Sequence, residues 1–585
     1  MSLKHGASHP RLHRDFIDMI NDHSLEQLVM EPTRLDNTLD LFLTNCPQLI
    51  PRVEVMPGLS DHDIPYCEFA IHPVRQKQTP RTIYLYNKAD WDSMKVFMAN
   101  VHSDYMQMDN ASTETLWLKF KDDLTKAVNT FIPQKTARPK TSKPWMTPDI
   151  RKLVKRRDRV YKLWKKTGSV LLQNESVALR RTIQRLQRRS YWQYVDQSIS
   201  TDHSESYQAH QKKFWTFIKN QSSSGAGVSP LKVNGQLSHD PKAQAEILNK
   251  QFQDAFGDGK EYSHEEFQVK CSLDAVHISP MLSEINISEE GVRKILLNLD
   301  PHKAPGPDGI SPRVLKQLAD VVAPILTIIY KPSLDNGEVP SDWRMANVAP
   351  IFKKGERYDP SNYRPVSLTS VPCKVLEHII TSALMGHLEG NDILCPEQHG
   401  FRKLRSCETQ LLEFTEELFD NMEKGNQADV VVLDFAKAFD KVNHSLLVHK
   451  LCHYGVNGHV GRWIESFLRD RQQSVVVQSV CSDTAAVRSG VPQGSVLGPA
   501  LFLAYINDLP QQLSSQARLF ADDTAVYRLS ASESDQTHLQ QDLLREMRNG
   551  RTVGTWYSTL INVLFSMSPE KDMSLRTNTF CMASN

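Results

Sequence analysis

The chain has 585 residues, room for roughly three or four domains at about 150 residues each, so length places no limit on building sizeable cores. Its nine cysteines are scattered without a CxxC pair or a Cys/His ladder, which argues against a zinc module and for reduced thiols in an intracellular protein; no run approaches the ~18 apolar residues of a membrane span, and "MSLKHGASHPRLHRDF" has no apolar signal core. The balance of 69 Lys+Arg against 68 Asp+Glu conceals an asymmetry: residues 135–189 hold 18 Lys/Arg and 3 Asp/Glu, a local +15 within a chain of net +1, which leaves −14 elsewhere. Such a segment suits an anionic polymer, and a phosphate backbone is the commonest one.

Residues 1–72 contain strand-like runs, "TLDLFLTN" and "RVEVM", followed by the loop "PGLSDHDIP", and look like the last piece of a β-rich domain. Residues 80–134 read as helical, with Trp91, Val96, Phe97, Trp117, Leu118, Leu124 and Phe131 spaced for one apolar face. After the linker "PQKTARPKTSKPW", Thr147 caps a helix that has Pro148 in its first turn, and Ile150, Leu153, Val154, Tyr161 and Trp164 line one side. A second basic helix carries Leu179, Ile183 and Leu186. Solvated cationic faces are the ordinary reading of such helices, but Tyr191, Trp192 and Tyr194 among the arginines favour nucleic-acid contact. "NQSSSGAGVSP" at 220–230 reads as a flexible linker, and from 231 to 547 short apolar strands alternate with helices.

Three stretches carry chemistry. In "DVVVLDFAKAFD" the apolar run Val430 to Leu433 ends in Asp434, which puts a carboxylate at the end of a buried strand, where ligands usually bind. "SGVPQGSVLGPALFLAYINDL" is a glycine-rich turn entering an apolar helix near Leu497; bare backbone allows close approach, and Gln493 offers both a donor and an acceptor. "FADDTAVY" sets Asp522 and Asp523 side by side on a hairpin turn, and like charges that close resist joint ionisation unless a cation lies between them and another group. Each stretch taken alone reads as a cap, a packing turn or a loop. Their succession is the signal, because phosphoryl transfer by two divalent ions needs carboxylates from separate strands to hold metals about 3.5–4 Å apart.

"LDFAKAFDKVNH", "GVPQGSVLGPALFLAYINDLP" and "FADDTAVY" resemble motifs A, B and C of reverse transcriptases, in the wording of LINE-type (non-LTR) retrotransposons of the jockey-like kind. Upstream, "HKAPGPDGISPRVLK", "PIFKKGERYDPSNYRPVSLTSVPCKVLEHII" and "QHGFRKLRSCETQL" look like the finger segments of the same enzymes. The resemblance implies an α+β right-hand polymerase, fingers and palm, with an antiparallel palm sheet. It implies that Asp434 and Asp522 ligate two Mg²⁺ ions, for which Mn²⁺ can substitute, with Asp523 beside them. Phe439 then lies under the incoming sugar and opposes a 2′-hydroxyl, Gln493 contacts nucleotide or template, and Arg364 and Lys353 hold the triphosphate. The implied partners are an RNA template, a DNA primer at a nicked target, and dNTPs, with action in the nucleus. The alternative is an inactive remnant that still binds nucleic acid.

"NTLDLFLTN" and "GLSDHD" are similar to the end of the endonuclease that LINE-type elements carry upstream, with Asp40 in a strand and the Asp61-His62 pair as a base with its orienting carboxylate. The metal-binding motifs that the family places earlier are not in this chain, so no nicking activity is expected. Past "LQQDLLREMR" the chain departs from the family's pattern, and a shift of reading frame near Arg548 accounts for it; the thumb is then missing and 549–585 should be poorly ordered. The implied organisation is an endonuclease fragment at 1–72, a basic helical extension at 73–220, a linker at 221–230, N-terminal fingers at 231–333, polymerase fingers and palm at 334–548, and the tail 549–585.

Overall fold

A computed structural model describes residues 10–34, 37–56, 62–70, 82–108, 111–136, 145–199, 228–233, 235–271, 281–425, 427–530, 533–549, 564–568 and 571–575. The chain divides into two compact units, residues 1–79 and 80–585. The linker expected at 220–230 falls largely outside the described residues, as does Asp61. Among the described residues no helix is long and apolar enough to cross a membrane, and Cys46, Cys67, Cys373, Cys395, Cys407, Cys452 and Cys481 are free thiols.

In the first unit an amphipathic helix, Pro10–Asp22, precedes an antiparallel hairpin of Arg52–Met56 and Ile64–Glu68. The expected strand "TLDLFLTN" is paired only at Leu43–Thr44, against Glu26–Gln27. Asp40, expected in a strand, sits in a loop instead. The physical reason is local: the Thr33 hydroxyl accepts the backbone N–H groups of Leu39 and Asp40 at 2.9 and 3.0 Å, which folds the chain back on itself and takes those donors from a ladder.

The second unit begins with two capped helices. Helix α1 (Trp91–Met106) starts at Asp90, which accepts the Ser93 N–H, and α2 (Thr113–Phe131) starts at Ser112, which accepts the Thr115 N–H. Met94, Met98 and Tyr105 of α1 and Leu116, Trp117, Phe120 and Leu124 of α2 are buried at three- and four-residue spacing. Val96 and Leu118, expected on that face, are exposed because they fall off the stripe. Helix α3 (Pro148–Thr167) begins at the Thr147 cap as the sequence predicts and ends at Gly168 in the left-handed region, φ 66°. It packs on α4 (Val170–Ile199), where Trp145 meets Tyr191 edge-on at 5.1 Å and Arg156 pairs with Glu175 at 2.8 Å.

Helix α5 (Ala319–Asn336) is the centre of the core, with Val322, Ile325, Leu326, Ile329 and Tyr330 all inaccessible. Its nearly unbroken apolar sequence is what burial on every side requires. Trp117 of α2 lies edge-on to Trp343 at 5.2 Å and donates its indole N–H to Asp342 at 3.0 Å, so the N-terminal helices share one core with the residues downstream.

Next come strands β1 (Met345–Phe352) and β2 (Tyr363–Leu368), helices α6 (Val371–Gly390) and α7 (Cys407–Glu423), β3 (Gln427–Asp434), β4 (Gln472–Val477), α8 (Gly498–Ile506), β5 (Gln516–Phe520), β6 (Asp523–Ser530), α9 (Glu533–Asn549), β7 (Leu564–Ser568) and β8 (Lys571–Leu575). One five-stranded sheet contains the antiparallel pair β2–β1 and the parallel pair β1–β4. The other has the order β5-β6-β3-β7-β8 and is antiparallel throughout. The architecture is therefore α+β. Strand β3 is covered on both faces: Ala428 and Val430 pack with Leu418 of α7, while Val431 and Leu433 pack with Leu539 of α9. That explains a continuous apolar run in an antiparallel sheet, where alternation is the usual pattern. Most of the tail expected to be poorly ordered lies outside the described residues; within the part described, β7 pairs along β3 from Val431↔Leu564 to Ala428↔Met567.

One loop residue is strained without compensation. Leu404 has φ +62° with its side chain 98% exposed, so the left-handed conformation costs energy and the leucine contributes no packing. Leu404→Gly is expected to stabilise the protein by about 1 kcal/mol, read as a higher urea midpoint with an unchanged slope; a lower midpoint would mean that the side chain has a packing role.

Candidate active site

The acidic residues are brought together by strand register. In the β3–β6 ladder Asp434 stands directly opposite Asp523, and in the β5–β6 hairpin Phe520 pairs with Asp523, leaving Ala521 and Asp522 as a two-residue turn. Ala521 takes φ +57°, the positive value such tight turns require. Residues distant in sequence, Asp434 and the 522–523 pair, thus meet at one end of the antiparallel sheet. Burial holds the Asp522 carboxyl above its ordinary value, and the like charges of Asp523 and Asp434 add to that, while its own backbone N–H and Lys353 pull it back.

The glycine-rich turn lies against the continuation of β3. Gly490 donates to the Val442 carbonyl at 2.7 Å and Val491 to the Phe439 carbonyl at 2.8 Å. A Cβ on Gly490 would lie 2.7 Å from the Asp440 carbonyl oxygen, and one on Gly494 would lie 2.5 Å from that of Ser367, so side chains are excluded where three backbone segments converge. The turn enters α8 through Val496 and Leu497, whose N–H groups are accepted by the fully buried Glu377 of α6 at 2.7 and 3.1 Å. A carboxylate at a helix N-terminus satisfies orphan donors and the helix dipole together.

Gln493 donates its amide to Asp440 Oδ1 at 2.9 Å, and its backbone carbonyl accepts from Ser367 of β2 at 2.8 Å. Asp440 stands in the quoted "DFAKAFD" but was given no role by the sequence. Its only signal was a second carboxylate six residues after Asp434, on a segment that no periodicity distinguishes. Burial pushes its carboxyl up to about 6 against the pull of the Gln493 amide. Beside the pair is a cavity of about 30 Å³, room for one water, also lined by the buried Arg471, whose guanidinium donates to the Phe467 carbonyl at 3.0 Å.

Phe439 stacks on Phe502 of α8 with ring centroids 4.4 Å apart and planes 12° from parallel, and meets Phe401 edge-on at 6.2 Å. Its ring is thereby fixed from two sides next to the acidic strand. Lys353 and Arg364 belong to the β1–β2 hairpin: Lys353 donates its N–H to Asn362 just past β1, and Arg364 faces Ile351 in the ladder. Both side chains are exposed, and Lys353 is near enough to act on the Asp522 charge. The structure therefore gathers Asp434, Asp522, Asp523 and Lys353 at one place, and links Gln493 to the hairpin that bears Arg364.

In the first unit His62 Nδ1 hydrogen-bonds Asp40 Oδ2 at 2.9 Å, and this contact holds the Asp40 carboxyl below its ordinary value. Among the described residues Asp40 is thus a carboxylate partner of His62, while Asp61, paired with His62 in the sequence reading, lies outside them.

Among the described residues no three His, Cys, Asp or Glu side chains close up into a set that would enclose an ion unaided. Magnesium does not require one, since it commonly takes one or two carboxylates and completes its octahedron with substrate phosphates and water. The raised Asp522 carboxyl beside two like charges fits a cation held in that way.

Comparison with known proteins gives this chemistry its class. Residues 351–552 match the reverse transcriptase (RNA-dependent DNA polymerase) family, and the span contains β3, the glycine turn and the acidic hairpin. Over 534 residues, 86% of this chain and 56% of the relative, it is 26% identical to the RNA-directed DNA polymerase from mobile element jockey of Drosophila melanogaster. It is 30% identical over 286 residues to the probable RNA-directed DNA polymerase from transposon BS of the same species, covering 47% of this chain and 30% of that one. A third relative is the Pol polyprotein of type-1 retrotransposable element R2 from Popillia japonica, 28% identical over 218 residues, 36% of this chain and 29% of the relative. The matched span and the jockey relatives aligned over most of the chain together support a LINE-type (non-LTR) retrotransposon reverse transcriptase. It spans a little over half the length of the jockey relatives.

The Asp440 environment generates a pH prediction. A carboxyl raised from 3.8 to about 6 gives the wild type relative stability that is complete below pH ~4 and is lost as pH rises through about 6. Asp440→Asn, which keeps an acceptor for Gln493 without the buried charge, should be more stable than wild type above pH 6, by up to roughly 3 kcal/mol, with the gap closing below pH 4. Urea unfolding at pH 4 and pH 7.5 measures it; a gap independent of pH would contradict the assignment.

Proposed function

We propose that this chain is an RNA-directed DNA polymerase that adds dNMP to a DNA 3′-hydroxyl by two-metal nucleotidyl transfer, copying element RNA at a nicked target. The single observation that carries the reading is the register that sets Asp434 opposite Asp523 with Asp522 on the adjoining turn. The antiparallel sheet serves as the palm and the β1–β2 hairpin as part of the fingers. Asp434 and Asp522 would hold the Mg²⁺ pair, which Mn²⁺ could replace, and a bound pair would supply activation of the primer hydroxyl and charge neutralisation at the triphosphate.

The remaining tasks fall to side chains of the chain itself. Lys353 supplies a point charge for phosphate oxygens and Arg364 a planar fork. Phe439, braced by Phe502 and Phe401, gives a rigid surface that opposes a 2′-hydroxyl. Gln493, held by the Asp440 carboxylate, is pre-set to meet the incoming nucleotide or the template. The α3–α4 pair is the surface proposed to hold RNA: exposed Arg181, Arg185, Arg188 and Arg189 fall on one helical face, with aromatic Trp145, Tyr191 and Trp192 close to its end. Action in the nucleus follows from the target being genomic DNA.

The same cationic surface also favours the second reading, a remnant that binds RNA without copying it. Primer extension with Mg²⁺ on poly(A)/oligo(dT) separates the two. Incorporation is expected, and RNA retention without incorporation would select the remnant. Asp522→Ala should abolish incorporation while leaving RNA affinity within about twofold; joint loss would show that the residue holds the fold rather than the reaction. Replacing Arg181, Arg185 and Arg188 with Ala should flatten the slope of log affinity against log salt by about 2 for single-stranded RNA, and an unchanged slope would move the RNA surface elsewhere.

A further inference from the structure

We propose that Gln398 is a positioning residue for the acidic turn: its side-chain amide stands in for a missing stretch of backbone and clamps Ala521 from both of its polar ends. Its Oε1 accepts the Ala521 N–H at 2.9 Å, and its Nε2 donates to the Ala521 carbonyl at 3.3 Å. The same Oε1 accepts the Gly400 N–H at 2.7 Å, so the amide is fixed from its own side as well. Gln398 is 2% exposed, so these bonds form out of reach of water, where a lost partner is not replaced.

The surrounding backbone is arranged for the clamp. Residues 397–399 run parallel to β5, with Leu519 donating to the Glu397 carbonyl at 3.0 Å and His399 donating to the Leu519 carbonyl at 2.9 Å. At residue 400 the two segments close so far that a Cβ there would lie 2.3 Å from the Ala521 nitrogen, which leaves glycine as the residue that fits. The clamped residue is the one in the left-handed region, φ +57°, immediately before Asp522. An L-residue does not hold that conformation by preference, and the turn would otherwise relax and swing the carboxylates that follow it.

A neutral amide suits the place. It matches a donor and an acceptor at once, and it adds no charge beside Asp522, where like charges already oppose ionisation. Gln398 touches neither nucleotide nor template in this account. It fixes the direction in which Asp522 and Asp523 leave the sheet. Its effect on metal binding rests on the polymerase reading, whereas the clamp does not.

The test uses the full chain and two readouts. Hydrogen exchange of the Ala521 amide, followed in the 516–524 segment without metal, should quicken about tenfold in Gln398→Met, the worth of one buried hydrogen bond, while the Gly498–Ile506 helix keeps its protection. In Gln398→Glu one oxygen still accepts the Ala521 N–H, but the other faces the Ala521 carbonyl with no proton to donate and its charge is buried beside Asp522, so the loss of protection should equal or exceed that of the Met variant. Unchanged exchange in the Met variant overturns the clamp. Should the Met variant fail to fold, Gly400→Ala, which forces the segments apart, must show the same loss at Ala521, and normal protection there overturns the proposal equally. The second readout is Mn²⁺ binding by water-proton relaxation, expected to weaken about tenfold in Gln398→Met with RNA affinity retained. Wild-type Mn²⁺ binding that is indifferent to Asp522→Ala would sink the polymerase reading and leave the exchange result standing.

Discussion

The site depends on one pairing of strands. Because β3 and β6 are antiparallel neighbours with Asp434 opposite Asp523, two carboxylates separated by most of a domain in sequence share one end of a sheet, and the two-residue turn adds a third beside them. A slip of a single residue would carry every side chain of β6 to the other face. The apolar run of β3 would tolerate a slip, and register is held by β6: Tyr527 packs with Leu418 on the α7 side, while Val526 packs with Leu539 and Arg528 pairs with Asp535 on the α9 side, so a one-residue slip would turn Arg528 onto the apolar α7 face. The cost of crowding negative charge is therefore met by hydrophobic packing behind it, with the Asp522 carboxyl left above its ordinary range.

A second layer of organisation is made of backbone contacts that side chains would prevent. Gly490 admits the Asp440 backbone, Gly494 admits that of Ser367, and Gly400 admits Ala521. Gly490 and Gly494 join the glycine-rich turn to the acidic strand and to the β1–β2 hairpin, and Gly400 joins residues 397–400 to the acidic turn; the first junction is sealed by Gln493 and Ser489 Oγ on Asp440, the second by the Ser367 N–H on the Gln493 carbonyl, and the third by Gln398 on Ala521. Reactive groups are held by elements that cannot shift independently, which is the requirement for charge stabilisation without reorganisation.

Much of the site was legible because its signals are local. An apolar run ending in Asp434, a Pro-Gln-Gly turn before an apolar helix, and paired aspartates on a hairpin each leave a mark in a short window, and β3, α8 and the β5–β6 hairpin form where those marks fall. The Thr147 cap was legible for the same reason. What escaped was relational. Asp440 and Gln398 lie in quoted stretches, yet their meaning comes from partners 53 and 123 residues away, which no periodicity reports. The resemblance of "NTLDLFLTN" to the endonuclease end puts Asp40 in a strand, and a single threonine hydroxyl overrides it. The spacing that puts Val96 and Leu118 on the apolar face is off by part of a turn, and the helices carry both to the surface. The pairing of β7 with β3 also escaped, because a tail read as frame-shifted carries no expectation of strands.

The central claim is that carboxylates on β3 and on the β5–β6 turn grip the same ions. Replacing Mg²⁺ with Fe²⁺ in the complex with RNA template, DNA primer and dNTP, and then generating hydroxyl radicals, cuts the polypeptide beside the bound metal. The account predicts cleavage at two places only, next to Asp434 and next to Asp522–Asp523, both suppressed by excess Mg²⁺. Cleavage at one of them without the other, or at neither in a complex that still incorporates dNMP, would contradict it.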